Sequence, residues 1–451
     1  SKRPSKMFRI DVKGMVIIFH LYFCHTSLNI YLHPLLISLA FAMGNRSQHR
    51  WIMLTLAFLT AFELHFLLFS FSQLVSEIRF EMGLLYAQAN FVFSICILAV
   101  VLLRIPWGLL SDRIGSSATL KLAATIMGIF GFLRGFAIGY ETLLIFQLFL
   151  GIGFAAILPS LSKLVDAWFP KKVGLATGVY VAGFPLGEIA ALTLTPFVLE
   201  YVHNWRNVFC VYGIFGLILS ALWWTVAKEP ARSRDKELAH KAALRSPSKE
   251  EIVRLLRVKE IWILTGLCVC AMGCYDTLVV SLPDMLELEG ISPEIAGLMA
   301  SMLPLGFLLA GPTVGTLSDK LGLRRPFLWI LGLVSGPTIL AIALFSDTPL
   351  WVTIFVAGFC TAGIVTLVLV IPTELPEVAR LVASSVGLIS SLGNIGPFLF
   401  PIAVGYLKDT TGSFLPALVM LAIIAEITLI LGLFMRETGE KSISYEPLKS
   451  L

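Results

Sequence analysis

The sequence predicts an all-α membrane protein, with twelve transmembrane helices in two pseudo-symmetric six-helix bundles. Three observations carry that prediction. Of 451 residues, 57% are hydrophobic and only 14% charged, and the mean hydropathy is +0.86. A soluble globular chain carries about 25% charged residues. Apolar runs of the roughly 20 residues that a helix needs to cross a bilayer recur along the whole chain after residue 50. Finally, a charged, glycine-flanked stretch, GLLSDRIG at 108–115, returns as GTLSDKLG at 315–322, an offset of 207 residues.

The first six runs fall at 51–73, 87–106, 118–139, 141–164, 174–199 and 206–227. The second six fall at 261–283, 294–314, 326–346, 350–372, 382–407 and 414–435. Glycine and proline are frequent inside them, which membrane helices tolerate. Short turns separate the runs except between the sixth and seventh, where the polar, charged stretch 228–260 intervenes. The expected organisation is an N-terminal bundle (44–227), a cytoplasmic linker (228–260), a C-terminal bundle (261–437) and a cytoplasmic tail (438–451).

Threading the chain from a cytoplasmic start near Met43 places 25 Lys and Arg on the inner side. Four fall on the outer side: Arg79, Arg134, Arg206 and Lys408. This is the asymmetry that the positive-inside rule requires. Both ends of the twelve-helix unit are therefore expected in the cytoplasm. With no organelle signal and short termini, the expected location is a prokaryotic plasma membrane, with the protein multi-pass and monomeric.

Residues 1–43 do not fit this register. Residues 14–42 are long and apolar enough to span, but a span there would put Arg46 and Arg50 outside. His20, His25, Asn29, His33 and Pro34 are also costly on a lipid-facing helix. Ala40-Phe41-Ala42 would suit a removable signal peptide, which would leave the mature start outside. The segment is expected to be a leader upstream of Met43 or an extra hydrophobic segment. The seven cysteines lie almost entirely in apolar runs without metal-ligand spacing, so they read as packing residues. No metal and no cofactor is expected.

The pattern GxLxDRxG between the second and third spans resembles the signature loop of the major facilitator superfamily. Its residues are Gly108, Asp112, Arg113 and Gly115. The second copy, Gly315, Asp319, Lys320 and Gly322, followed by Arg324 and Arg325, lies between the eighth and ninth spans, where that superfamily repeats it. The resemblance covers about 44–437. It implies transport by alternating access, with these loops latching the outward-facing state on the cytoplasmic side. The residue types suit such a latch. Glycine permits tight turns and close helix approach, and an Asp near a helix N-terminus gains from the dipole and the free N–H groups. The first copy departs from the pattern, with Ser116 and Ser117 in place of a basic pair. Gln147 stands where proton-coupled members often carry Arg. The fifth-span antiporter pattern is matched only loosely by Gly178, Gly183, Pro185 and Gly187, followed by Glu188.

Arg104 lies eight residues before Asp112, about 12 Å along a helix, and so within the second span. An arginine there costs about 2.5–3.5 kcal/mol on insertion scales. The stretch LLRIPWGLLSDRIG resembles the matching segment of nitrate/nitrite porters, and WFPKKVGLATG (168–178) resembles one of that family and of cyanate-type porters. In the former an arginine at this place binds the anion. The equivalent position of the second half is Gly311, followed by Pro312, so a two-arginine clamp lacks one partner. A single guanidinium can still hold an oxyanion or carboxylate bidentately. The alternatives are snorkelling, or an ion pair with Asp112 or a fourth-span acid.

Glu63, Glu188, Asp276 and Glu426 also fall within spans, where carboxylates usually face a cavity or pair with a base. In the superfamily the first, fifth and seventh spans line the central cavity. Glu63, Glu188 and Asp276 are therefore the candidates for proton coupling, whereas Glu426 reads as a helix-contact residue. Asn90 and Asn394 join Arg104 as substrate-binding candidates. Arg134, near the outer end of the third span, reads as interfacial.

An intramembrane enzyme is disfavoured. Tyr275-Asp276 lacks a GxGD partner, and there is no HExxH and no phosphate-cradling glycine loop after a strand. The charges form no single basic face, so nucleic acid is not an expected partner; the expected partners are the lipid bilayer and a small-molecule substrate. The expected function is secondary active transport of a small anion or carboxylate, proton-linked through the buried acids. Efflux of an organic solute or drug is the alternative, and a non-transporting receptor on the same fold is the alternative of another class.

Overall fold

In the computed structural model of the protein, the apolar runs fold as helices and no strand occurs among the described residues, which are 46–229, 249–345, 347–379 and 381–439. The expectations for residues 1–43, for most of the linker and for most of the tail lie outside them. The N-terminal half comprises α1 (Arg46–Phe69), a 3-10 turn at Ser72–Leu74, α2 (Val75–Met82), α3 (Tyr86–Ile114), α4 (Ser116–Leu133), α5 (Tyr140–Trp168), α6 (Val173–Val181), α7 (Gly183–Val202) and α8 (Trp205–Val226). The short α9 (Lys249–Arg257) precedes the second half. This comprises α10 (Lys259–Leu288), α11 (Pro293–Ala300), α12 (Met302–Leu321), α13 (Arg325–Ala341), α14 (Asp347–Val370), α15 (Val382–Gly393), α16 (Ile395–Thr411) and α17 (Leu415–Phe434).

Eleven helical stretches are long and apolar enough to cross a membrane, and α13 makes a shorter twelfth. The α1–α2, α6–α7, α11–α12 and α15–α16 pairs each form one span. Three of these breaks follow from proline chemistry. Proline has no N–H, so it leaves the carbonyl four residues earlier without its helical partner. Pro185, Pro304 and Pro397 do this to Val181, Ala300 and Gly393, which are the last residues of α6, α11 and α15.

The pairings within the two halves repeat. α3 packs on α5 as α12 packs on α14, and α4 packs on α8 as α13 packs on α17. Between the halves, α3 lies along α16, and α7 lies along α11 and α12. Glycines permit the tightest crossings. A Cβ on Gly128 of α4 would lie 2.8 Å from the backbone of Gly216 in α8. Membrane helices associate through such close backbone approach, because lipid supplies no hydrophobic drive between them.

Hydrogen bonds join the halves at the end away from the linker, here the distal end. Asp409 accepts from the backbone N–H groups of Tyr86 (2.9 Å) and Ala87 (2.8 Å), and Asn90 donates to the Pro401 carbonyl at 2.7 Å. Ser76 donates to Asp284.

Candidate functional site

The repeated loops sit at the linker end, and each is tied within its own bundle. Gly115 and Gly322 adopt positive φ, +94° and +62°, which accounts for glycine at both turns. Asp112 pairs with Lys163 of α5 at 2.7 Å, and Lys163 also donates to the Gly108 carbonyl at 2.8 Å. Asp319 pairs with Arg324 at 2.6 Å, and Arg324 bonds Glu374 and Ser318 as well. Hydrogen bonds to Glu374 hold the Arg324 guanidinium above its ordinary pKa. Arg113 and Lys320 are exposed, and Arg325 donates to the Leu433 carbonyl at 2.7 Å. Gly108 and Gly315 have room in this conformation, since a Cβ on either would make only ordinary contacts at 3.9 Å.

Two glutamates just past the sixth and twelfth spans complete these loops. Glu229 accepts from the N–H groups of Ser116 (3.1 Å) and Ser117 (2.9 Å), capping α4. Glu437 accepts from those of Arg324 (2.7 Å) and Arg325 (3.2 Å), capping α13. A carboxylate satisfies the orphan donors of a helix N-terminus and suits its dipole. Sequence reasoning passed over both glutamates, although their matched spacing from the two loops was a usable signal.

A second polar group lies at mid-span, on the seam between the bundles. Glu188 of α7, 2% exposed, pairs with His65 of α1 and accepts from the Tyr275 hydroxyl of α10. The Tyr275 contact crosses the seam. Asp276, 7% exposed, lies within electrostatic range of Glu188. His65 also packs on the rings of Phe69 and Phe184.

Arg104 of α3 is half-buried on the same seam and donates to the Ser390 carbonyl of α15 at 3.3 Å. Asn394 donates its side-chain amide to the same carbonyl at 2.5 Å. That carbonyl is available because the helix breaks there, so the backbone N–H of Asn394 turns to Ser391 instead. Arg104 Nε is buried without a partner, and no carboxylate pairs with the side chain among the described residues. The expected alternative of an ion pair is not realised, since Asp112 is taken by Lys163.

The structure thus brings Arg104, Asn394, Glu188 and Asp276 to the seam, together with His65 and Tyr275. It does not bring Glu63 there. That carboxylate is fully buried, has no hydrogen-bond partner among the described residues, and lies against Gly216 of α8 inside the N-terminal bundle. Asn90 is on the seam but nearer the distal end, spent on the Pro401 carbonyl. Glu426 lies against Gly336 of α13. Arg134 corrects the sequence reading: it is wholly buried rather than interfacial. Its guanidinium folds back 4.2 Å from the Phe209 ring and donates to the Leu67 carbonyl at 2.9 Å, so a cation–π contact and a backbone acceptor take the place of water.

Two bundles of membrane helices, with ionisable groups gathered where they meet, have the build of a transmembrane carrier. The sequence profile of the Major Facilitator Superfamily matches residues 53–292 and 269–447. The chain belongs to that superfamily and is a multi-pass membrane transporter, not an enzyme. It is similar to the D-galactonate transporter of Escherichia coli O6:H1, with 28% identity over 78% of this chain and 87% of that protein. It is also similar to the hexuronate transporter of Bacillus subtilis, at 27% over 78% and 87%, and to the nitrite extrusion protein of that organism, at 23% over 81% and 89%. Among solved structures, a bacterial homolog to human lysosomal transporter Spinster, in an inward-facing and unoccupied conformation, superposes with a TM-score of 0.68. Its identity is 18%, and the match covers 86% of this chain and 96% of that one.

Proposed function

We propose that the chain is a secondary active transporter of organic acid anions, working by alternating access and linked to protons. In this reading it lies in a bacterial plasma membrane with the linker and both ends of the twelve-helix unit cytoplasmic. The distal contacts then make this conformation outward-closed, with the two signature loops released from any latch between the bundles. Arg104 carries the reading. It is a guanidinium at the seam, bonded to a carbonyl rather than a carboxylate, with a buried N–H left to give. Such a group binds a carboxylate with geometry as well as charge. Asn394 is the second substrate contact. Glu188 is the proton-linked acid, held between His65 and Tyr275 so that its charge state bears on both bundles. The relatives named for galactonate and hexuronate support a carboxylate as the substrate.

The test is uptake into vesicles holding the purified protein, with D-galactonate, D-glucuronate and nitrite each offered with and without an inward proton gradient. Saturable uptake of a sugar acid is expected. Arg104→Ala is expected to weaken it about 10- to 100-fold, the loss of a charged hydrogen bond of about 1.5–3 kcal/mol. Gradient dependence is expected to vanish in Glu188→Gln. Uptake of nitrite alone, or uptake indifferent to Arg104, would sink the reading.

A further inference from the structure

We infer that the distal closure is proton-dependent: Glu77 of α2 and Glu287 of α10, brought together across the seam with Asp284, must take up protons for that end to shut. A rise in pH on the distal side then opens it. The device rests on the reading that the bundles rock, not on the identity of the substrate, and it is separate from Glu188.

The hydrogen bond from Ser76 of α2 to Asp284 of α10 crosses between the bundles and draws an acid from each side toward it. Glu77 follows Ser76 directly. Glu287 stands three residues beyond Asp284, a spacing that puts two side chains on one helix face, about 5–6 Å apart. Glu77, Asp284 and Glu287 lie within electrostatic range of one another, and Glu294 at the start of α11 lies within range of Glu287. Asp284 is 4% exposed, and Glu77 and Glu287 are half-buried.

The cations nearby do not balance these acids. The Arg79 guanidinium of α2 sits 3.2 Å from the centroid of the Tyr86 ring, with Tyr86 between it and Asp284. One guanidinium therefore stands against three carboxyl groups. Lys408 of α16 lies 5.7 Å from the same ring and donates to the Gly412 carbonyl at 3.0 Å, while Asp409 is spent on the start of α3.

One oxygen of Asp284 and one of Glu77 are buried without a hydrogen-bond partner among the described residues. Ionised carboxylates only accept hydrogen bonds, so they cannot satisfy one another, whereas a protonated one carries a donor. A proton held at Glu77 or Glu287 supplies the hydrogen that these oxygens lack, and it removes a like charge from the seam. With both acids ionised, like charges face each other between the bundles where little water screens them, and separation relieves the repulsion. Closing this end therefore takes up protons, so closure is favoured at low pH and lost as pH rises.

Spin labels at the exposed positions Tyr201 of α7 and Leu344 just beyond α13, on opposite bundles at the distal end, measure the closure in the purified full-length chain. From about pH 5.5 to about pH 8.5 the closed-to-open ratio is expected to fall at least about tenfold, since each proton taken up changes it by up to about tenfold per pH unit. With Glu77→Gln and Glu287→Gln combined, the closed form is expected to dominate throughout, and the ratio to change by less than about threefold. Glu287→Asp, which keeps the acid, is expected to keep the response. Either single amide variant, expected to weaken the response, serves if the double variant does not fold. Glu188→Gln is expected to leave the response in place. A response lost in Glu188→Gln and intact in the double amide variant overturns the inference while proton-linked transport stands. Two distances in a ratio indifferent to pH overturn it as well. A single distance in every variant, with or without D-galactonate, removes the inference together with the rocking on which it rests.

Discussion

Glu188 shows what a single side chain can do at a seam. Its two oxygens are divided between the bundles, one to His65 of its own half and one to Tyr275 of the other. A hydrogen bond to a charged group is worth about 1.5–3 kcal/mol. Tyr275→Phe is therefore expected to slow uptake about tenfold in the otherwise native protein. In a Glu188→Gln background the same change is expected to cost much less, a coupling of about 0.5–3 kcal/mol. Initial uptake rates for the two single variants and the double variant measure this, and additive losses would show that the two groups do not act together. The acid was legible in the sequence because a charge inside an apolar run stands out. Tyr275 and His65 were not legible as its partners, since amphipathic rings inside spans mostly pack. Glu63 stood out in the same way as Glu188 yet faces Gly216. Charge reveals that a residue is unusual, but it does not reveal which way the helix has turned it.

At the scale of elements, punctuation residues carry more information than propensity. The spans were legible from run length, but their interruptions were not placed, although the prolines that cause them are plain in the sequence. Pro397 ends α15 at Gly393, and the adjoining turn frees the Ser390 carbonyl that Arg104 and Asn394 share. One boundary fell short: the first apolar run is 51–73, whereas α2, with Glu77, Arg79 and Glu81, carries the span on to Met82. Glycines divide into two kinds that composition cannot separate. A side chain at Gly128 would strike the backbone of Gly216, while one at Gly178 would meet nothing within 4 Å. Gly128→Val is accordingly expected to cost about 1–3 kcal/mol or more, and Gly178→Ala to leave stability unchanged. Thermal unfolding in detergent checks the contrast, and equal transition temperatures for the two variants would show that the α4–α8 crossing tolerates separation.

At the scale of the whole molecule, the doubled loop in the sequence foretold the repetition of helix pairings, because a duplicated bundle duplicates its packing. What repetition could not foretell is which end of the seam is closed, since under the proposed alternating access both closures are built from the same chain. Here the distal end is closed, and Asp409 is one of the residues that tie it across the bundles, with Asn90 and Ser76. The first N–H groups of a helix have no partner of their own. For α3 those of Tyr86 and Ala87 are satisfied by a carboxylate from the far bundle, which also meets the positive end of the helix dipole. Under the proposed alternating access, rocking the bundles apart at this end would break both bonds, so they would stabilise this conformation against its alternative. Replacing a capping acid costs about 0.5–2 kcal/mol, and one or two kcal/mol changes a two-state ratio by a factor of about 5–30. Asp409→Ala is therefore expected to move a substantial share of molecules toward a distal-open form, with Asp409→Glu largely restoring the balance. Spin labels at the exposed positions Phe80 and Leu288, one on each bundle at the distal end, report the change. The expected result is a longer second distance that grows in Asp409→Ala and recedes in Asp409→Glu. A distribution identical in all three proteins would mean that the distal closure is held by helix packing and the other distal hydrogen bonds, and that the Asp409 carboxylate merely caps a helix.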